Sequence, residues 1–179
     1  MKIERYTSTA IAMHWLIAVM LLISVSIGLY MTGLKFSPEK LKLYNWHKWA
    51  GVTIFTLVLF RCAWRLSHSA PPPSPNMPAW QVQTANATHY LLYALMIVIP
   101  LSGWLMSSAK GFQTVYFGVI PLPDLLSKSE PVGDALQLIH KSFNYTMIAI
   151  VVLHAAAALK HHFIDKDDVL RRILPSARS

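Results

Sequence analysis

His140 and His154 stand 14 residues apart in one strongly apolar stretch. At about 100° per residue that spacing returns a helix to nearly the same face, and at about 1.5 Å rise it spans roughly 21 Å. One apolar helix would therefore carry two imidazoles on one stripe, one towards each side of a hydrocarbon layer about 30 Å thick. Ionisable or ligating side chains inside membrane segments are rare and usually functional. His14 and His47 lie in two other apolar stretches at matching depths. Four imidazoles in two layers have the donor chemistry to hold two haem irons, one above the other. With both axial positions filled by nitrogen, such an iron suits electron transfer better than binding a gas or a substrate at the metal. The spacing predicts a path for electrons across a membrane.

The elements that must position these rings follow from composition. Of 179 residues, 54% are hydrophobic and only 13% charged, about half the charged fraction of a soluble domain, and mean hydropathy is +0.41. An all-α integral membrane protein is expected, a four-helix bundle enclosing two haems, as a single domain over 1–179. The formal charge of +8 does not point to nucleic acid, because the apolar runs leave no basic soluble face; basic residues at helix ends are ordinary in membrane proteins. The single cysteine, Cys62, forms no internal disulfide, and no Cys-x-x-Cys-His run exists to attach a haem covalently. Cys62 itself reads as a small packing residue. The first apolar run, 10–31, is longer than a signal-peptide core and lacks a small-residue cleavage pattern, so a retained helix is expected.

Four spans are long enough to cross a bilayer, about 8–31, 46–66, 86–108 and 139–160. Residues 32–45 form a short lysine-bearing connection. The stretch 69–78, with Pro71, Pro72, Pro73, Pro75 and Pro78, reads as a stiff polyproline-type connector. Residues 109–138 form the longest loop, broken by Gly111, Gly118, Pro121, Pro123 and Pro131, with room for a short interfacial helix. Arg5, Arg61, Arg65, Arg171, Arg172 and Arg178 all fall on one side if the N-terminus is cytoplasmic, so both termini are expected there. Lys35, Lys40, Lys42 and Lys48 gather on the other side and dilute the bias. Trp15, Trp46, Trp49, Trp64 and Trp104 sit near span ends, as interfacial aromatics do.

This orientation turns sequence position into depth. His14 and His154 both lie towards the cytoplasmic side and pair as ligands of an inner haem. His47 and His140 open their spans on the outer side and pair around an outer one. Each residue alone reads as an interfacial or hydrogen-bonded histidine; the combination, satisfying one two-layer geometry, favours ligation. Gly51, four residues after His47, offers a flat spot where a porphyrin can approach, or ordinary small-residue packing. His89 opens span three on the cytoplasmic side and competes for the inner layer; without an outer counterpart on its helix it reads as a second-shell, propionate or quinone contact. His161, seven residues beyond His154, is too shallow to pair with His14 and reads as a quinone, proton-handling or solvated residue. His68 and His162 look interfacial. Arg61 and Arg65 can meet haem propionates or simply anchor the cytoplasmic ends. Pro100 and Gly103 are expected to kink span three.

Together these segments resemble the bacterial cytochrome b-561 family. The resemblance is carried by Arg5-Tyr6-Thr7 with Met13-His14-Trp15-Leu16, by His47-Lys48-Trp49-Ala50-Gly51, and by Arg61-Cys62-Ala63-Trp64-Arg65 with the prolines after it. It continues through His89-Tyr90-Leu91-Leu92-Tyr93, Pro100-Leu101-Ser102-Gly103, and the run from Leu153-His154 to His161-His162. It covers nearly the whole chain and is weakest in the long outer loop. The resemblance implies a four-helix inner-membrane cytochrome with two haem b groups that exchanges electrons with quinone. It also implies the ligand pattern found above: one histidine on each of spans one and two, two on span four. Similar subunits anchor hydrogenases and formate dehydrogenases, and a superoxide:ubiquinone oxidoreductase activity is associated with the family. The expected cofactors are two haem b, with ubiquinone as substrate. The expected partners are lipid, quinone, and superoxide or a periplasmic redox protein. Any enzymatic activity would be that of an oxidoreductase, since no nucleophile with its base is apparent. One alternative is a membrane anchor for a periplasmic dehydrogenase, docking on 32–45 and 109–138. A metal-ion transporter is a distant one, since Asp and Glu are absent from the four span interiors.

Overall fold

The computed structural model describes residues 4–74 and 77–175. Four helices dominate it: α1 (Ser8–Gly33), α2 (Pro38–Ser67), α3 (Ala79–Ala109) and α4 (Glu130–Lys160). All four are long and apolar enough to cross a membrane. The chain is a multi-pass membrane protein of the expected four-helix architecture.

The helices outrun the apolar windows because capping, rather than hydropathy, sets their ends. The Thr7 side chain accepts from the Ala10 amide at 3.2 Å and opens α1. Ser37 does the same for Lys40, and Pro38, whose missing N–H is no loss in a first turn, starts α2 eight residues before the expected span. Pro78 precedes α3, and Pro131 sits in the first turn of α4. A 31-residue helix is about 46 Å long, so its ends project beyond the hydrocarbon. The connection expected over 32–45 accordingly shrinks to the few residues between Gly33 and Pro38.

The loop after α3 contains a small hairpin instead of an interfacial helix. β1 (Val115–Tyr116) pairs antiparallel with β2 (Ile120–Pro121), Tyr116 opposite Ile120. Phe117 and Gly118 turn it with φ of 50° and 73°. Two consecutive positive values define the mirror-image turn that suits strand twist. Phe117 tolerates this conformation with its ring tilted onto Trp49, centroids 5.3 Å apart.

α1 packs on α2, α2 on α3 and α3 on α4; α4 has no comparable contact with α1 or α2. Ile17, Ile54 and Val58 form the buried centre, flanked by Met20, Leu57, Cys62, Tyr93 and Met96, which bears out the packing role of Cys62. α3 runs unbroken through Pro100.

Both ends of the bundle are tied by indole and cationic donors. At one end Trp15 donates to the Ile173 carbonyl (2.8 Å), Trp64 to Thr7 Oγ1 (3.1 Å), and the Tyr6 amide to the Arg172 carbonyl (3.3 Å). Arg5 donates to the Leu174 carbonyl and Arg172 to that of Pro72. Residues 5–7 and 172–174, the proline connector and its neighbouring arginines therefore share one end, as the sequence implied; Arg178, and residues 75 and 76 of the connector, lie outside the described residues. At the other end Lys48 donates to the Phe112 carbonyl (2.9 Å), Trp49 to Val115 (2.7 Å) and Trp104 to Pro123 (3.1 Å).

Val58 is fully buried, whereas Leu66 on the same helix is 91% exposed. Val58→Ala should cost about 1–2 kcal/mol of lost packing and lower the thermal unfolding midpoint in detergent, while Leu66→Ala should leave it unchanged.

Candidate functional site

The outer layer is built by two helical hairpins that each tie one ring. His47 on α2 faces α1, where its Nδ1–H donates to the Ser24 carbonyl at 3.0 Å and lies 3.2 Å from the Ser24 hydroxyl. His140 on α4 faces α3, where its Nδ1–H donates to the Ile99 carbonyl at 3.0 Å, with the Ser102 hydroxyl also at 3.0 Å. A carbonyl only accepts, so Nδ1 carries the proton in both rings and Nε2 of each keeps its lone pair. Both serines are buried. Each ring also lies against a glycine: a Cβ on Gly28 would come within 3.1 Å of His47 Cε1, and one on Gly103 within 3.0 Å of His140 Cε1. The centroids of His47 and His140 are 6.2 Å apart with the rings at 89°.

The inner layer, 14 residues further along α4, holds His14 on α1 and His154 on α4, centroids 6.5 Å apart. His89 on α3 joins them, 5.4 Å from His154. Arg61 borders this layer. Its Nη1 donates to the Ala10 carbonyl, one turn before His14, at 2.9 Å, and its Nε donates to the Tyr93 hydroxyl, one turn after His89, at 2.9 Å. Arg65 lies over the Tyr6 ring, 5.9 Å from its centroid. These contacts tie both arginines to the protein at the end where propionate contacts were expected.

His161 is not brought into ring contact with this layer. It begins a π-helical turn, His161–Asp165, that ends α4, and its Nδ1 pairs with Asp167 Oδ2 at 2.6 Å. Lys160 holds Asp165 at 2.6 Å. His68 stacks on Trp64 with centroids 4.0 Å apart, as an interfacial ring would. Open space surrounds the position a Gly51 Cβ would take, so Gly51 is not a helix-packing glycine.

The residues present fit haem: paired imidazoles would hold its iron, which would supply one-electron chemistry. A metal–imidazole bond is about 2 Å and the nitrogen lies roughly 1 Å from its ring centre, so two imidazoles that share one metal would have centroids within roughly 6 Å of each other. Both His47–His140 and His14–His154 lie close to that separation. A ligating histidine characteristically donates its second N–H to a carbonyl, as both outer rings do. Ser24, Gly28, Ser102 and Gly103 were not assigned to this site from sequence. The available signal was Ser24 and Gly28 spaced four apart on one helical face.

A family model described as prokaryotic cytochrome b561 matches residues 5–176. The chain belongs to that family. It is 34% identical to cytochrome b561 homolog 2 of Escherichia coli K12, over 98% of this chain and 94% of that one. It is 28% identical to the probable superoxide oxidase CybB of Yersinia pestis, over 98% of both chains. It is also 28% identical to cytochrome b561 homolog 1 of E. coli K12, over 96% of this chain and 98% of the other. The protein is a membrane b-type cytochrome, holding haem and working in electron transfer.

Gly28→Leu and Gly103→Leu place bulk where the His47 and His140 rings lie. Each should lower the haem retained per chain in purified protein, read from absorbance, whereas Gly33→Leu, with nothing within 4 Å, should not.

Proposed function

We propose that this cytochrome carries two haem b groups, the inner held by His14 and His154 and the outer by His47 and His140, in one domain spanning the chain. The observation that carries this reading is the pair of facing imidazoles in each of two layers. It lies in a bacterial inner membrane with both termini cytoplasmic, the arginine-rich end inward. Bound haem iron supplies one-electron chemistry, and the protein supplies position and tuning. Electrons pass between the periplasmic side and the quinone pool. Superoxide is the proposed donor, supported by the similarity to a probable superoxide oxidase of Yersinia pestis and by the cluster of Lys35, Lys40, Lys42 and Lys48 at the outer end, whose field would attract an anion.

Quinone is proposed to bind at the inner end. His89, which the fold brings against His154, and His161, paired with Asp167, are the residues proposed to contact it or move its protons.

Single substitutions test both parts. His47→Ala and His140→Ala should each leave one haem per chain, as should His14→Ala and His154→Ala. His89→Ala should keep two haems while slowing quinone reduction at least about tenfold, a barrier increase of about 1.4 kcal/mol. Loss of haem in His89→Ala with retention in His14→Ala would reassign the inner ligand. Unchanged quinone kinetics in both His89→Ala and His161→Ala would remove the proposed quinone contacts.

A further inference from the structure

The two histidine layers differ in what holds the rings. Both outer imidazoles have Nδ1–H on a helix carbonyl, with a buried serine hydroxyl as a second neighbour. Among the described residues, neither His14 nor His154 has a hydrogen bond at either ring nitrogen. An imidazole whose distal N–H is engaged by an acceptor becomes a more basic ligand. A more basic ligand favours the oxidised iron and lowers its reduction potential, and hydrogen bonding around the ligands is one of the protein's levers on that potential. The inner layer is biased the other way by charge. The Arg61 guanidinium sits one turn from both His14 and His89 through its bonds to Ala10 and Tyr93. A cation there favours an added electron, and it acts through a low-dielectric interior. At the outer end Lys48, which follows His47 on α2, donates to the Phe112 carbonyl.

We propose that the Ser24 and Ile99 carbonyls with the Ser24 and Ser102 hydroxyls at the outer pair, and Arg61 at the inner pair, set the outer iron below the inner iron in reduction potential. This rests on the ligand assignment above. The direction of flow follows: one electron leaves the outer iron as one arrives on the inner iron, downhill towards the arginine-rich end, and no proton moves. Ser24 is the sharpest positioning residue to test. Ser102 also donates to the Ile99 carbonyl at 2.7 Å, so removing it changes two bonds of opposite effect on His140.

The test is a potentiometric titration of the purified holoprotein followed by haem absorbance, with haem per chain measured on every sample. Two transitions are expected, and the one lost in His140→Ala should be the lower. Ser24→Ala should raise the lower transition alone, by about threefold in the oxidised-to-reduced ratio at fixed potential, which is about 28 mV at 59 mV per tenfold. Ser24→Thr, which keeps the hydroxyl, should restore it. Arg61→Gln should lower the upper transition alone. The proposal is overturned if His140→Ala removes the upper transition, or if Ser24→Ala and Ser24→Thr move the lower transition equally or not at all. A single haem per wild-type chain would instead refute the ligand assignment beneath it, a result the haem assay separates from any shift in potential.

Discussion

A histidine ring set among apolar helices is held through its Nδ1–H, and at the outer pair much of the fold follows from how that group is satisfied. A lone polar N–H in an apolar medium costs several kcal/mol. The outer rings find backbone carbonyls on adjacent helices: His47 of α2 on Ser24 of α1, His140 of α4 on Ile99 of α3. A helix carbonyl normally serves its own ladder, yet it has two lone pairs and can accept a second donor. Close approach is then required, and Gly28 and Gly103 permit it by presenting no side chain to the ring.

That constraint organises the helices into two hairpins, α1–α2 and α3–α4, each locking one outer ring. Packing of α2 on α3 joins them, and among the four helices α4 packs chiefly on α3. Its inward stripe is therefore committed to His140 and His154 rather than to a conventional core; among its described residues only Gly133 and Met147 are buried. The bundle ends compensate with directional bonds. Indole N–H groups from four helix-borne tryptophans reach backbone or side-chain oxygens in the flanking segments. The result is a frame that fixes the positions of imidazoles on different helices without a large buried apolar core.

Much of this was legible in the sequence. The 14-residue spacing in α4 and the depths of His14 and His47 followed from helical rise and span length alone, and the fold brings those rings together in the expected pairs. Helix starts were less legible, because Ser37, Pro38 and Pro131 act through caps that a hydropathy window does not see. The hairpin at 115–121 was hidden because its turn uses Phe117 where glycine or asparagine is the usual signal. Ser24 and Ser102 were hidden for a different reason. A serine in an apolar helix most often bonds its own backbone, and only the neighbouring helix reveals that these two face a histidine. His161 illustrates the same limit: its partner Asp167 arrives through a π-helical turn and a left-handed Lys166, a path no periodicity predicts.

We propose that each imidazole pair holds its own haem. It is tested most directly by a reduced-minus-oxidised spectrum of the purified protein, with haem and protein quantified on the same sample. Two b-type haems per chain are expected. One haem per fully matured chain would contradict it and leave one of the two histidine pairs as a structural contact between helices.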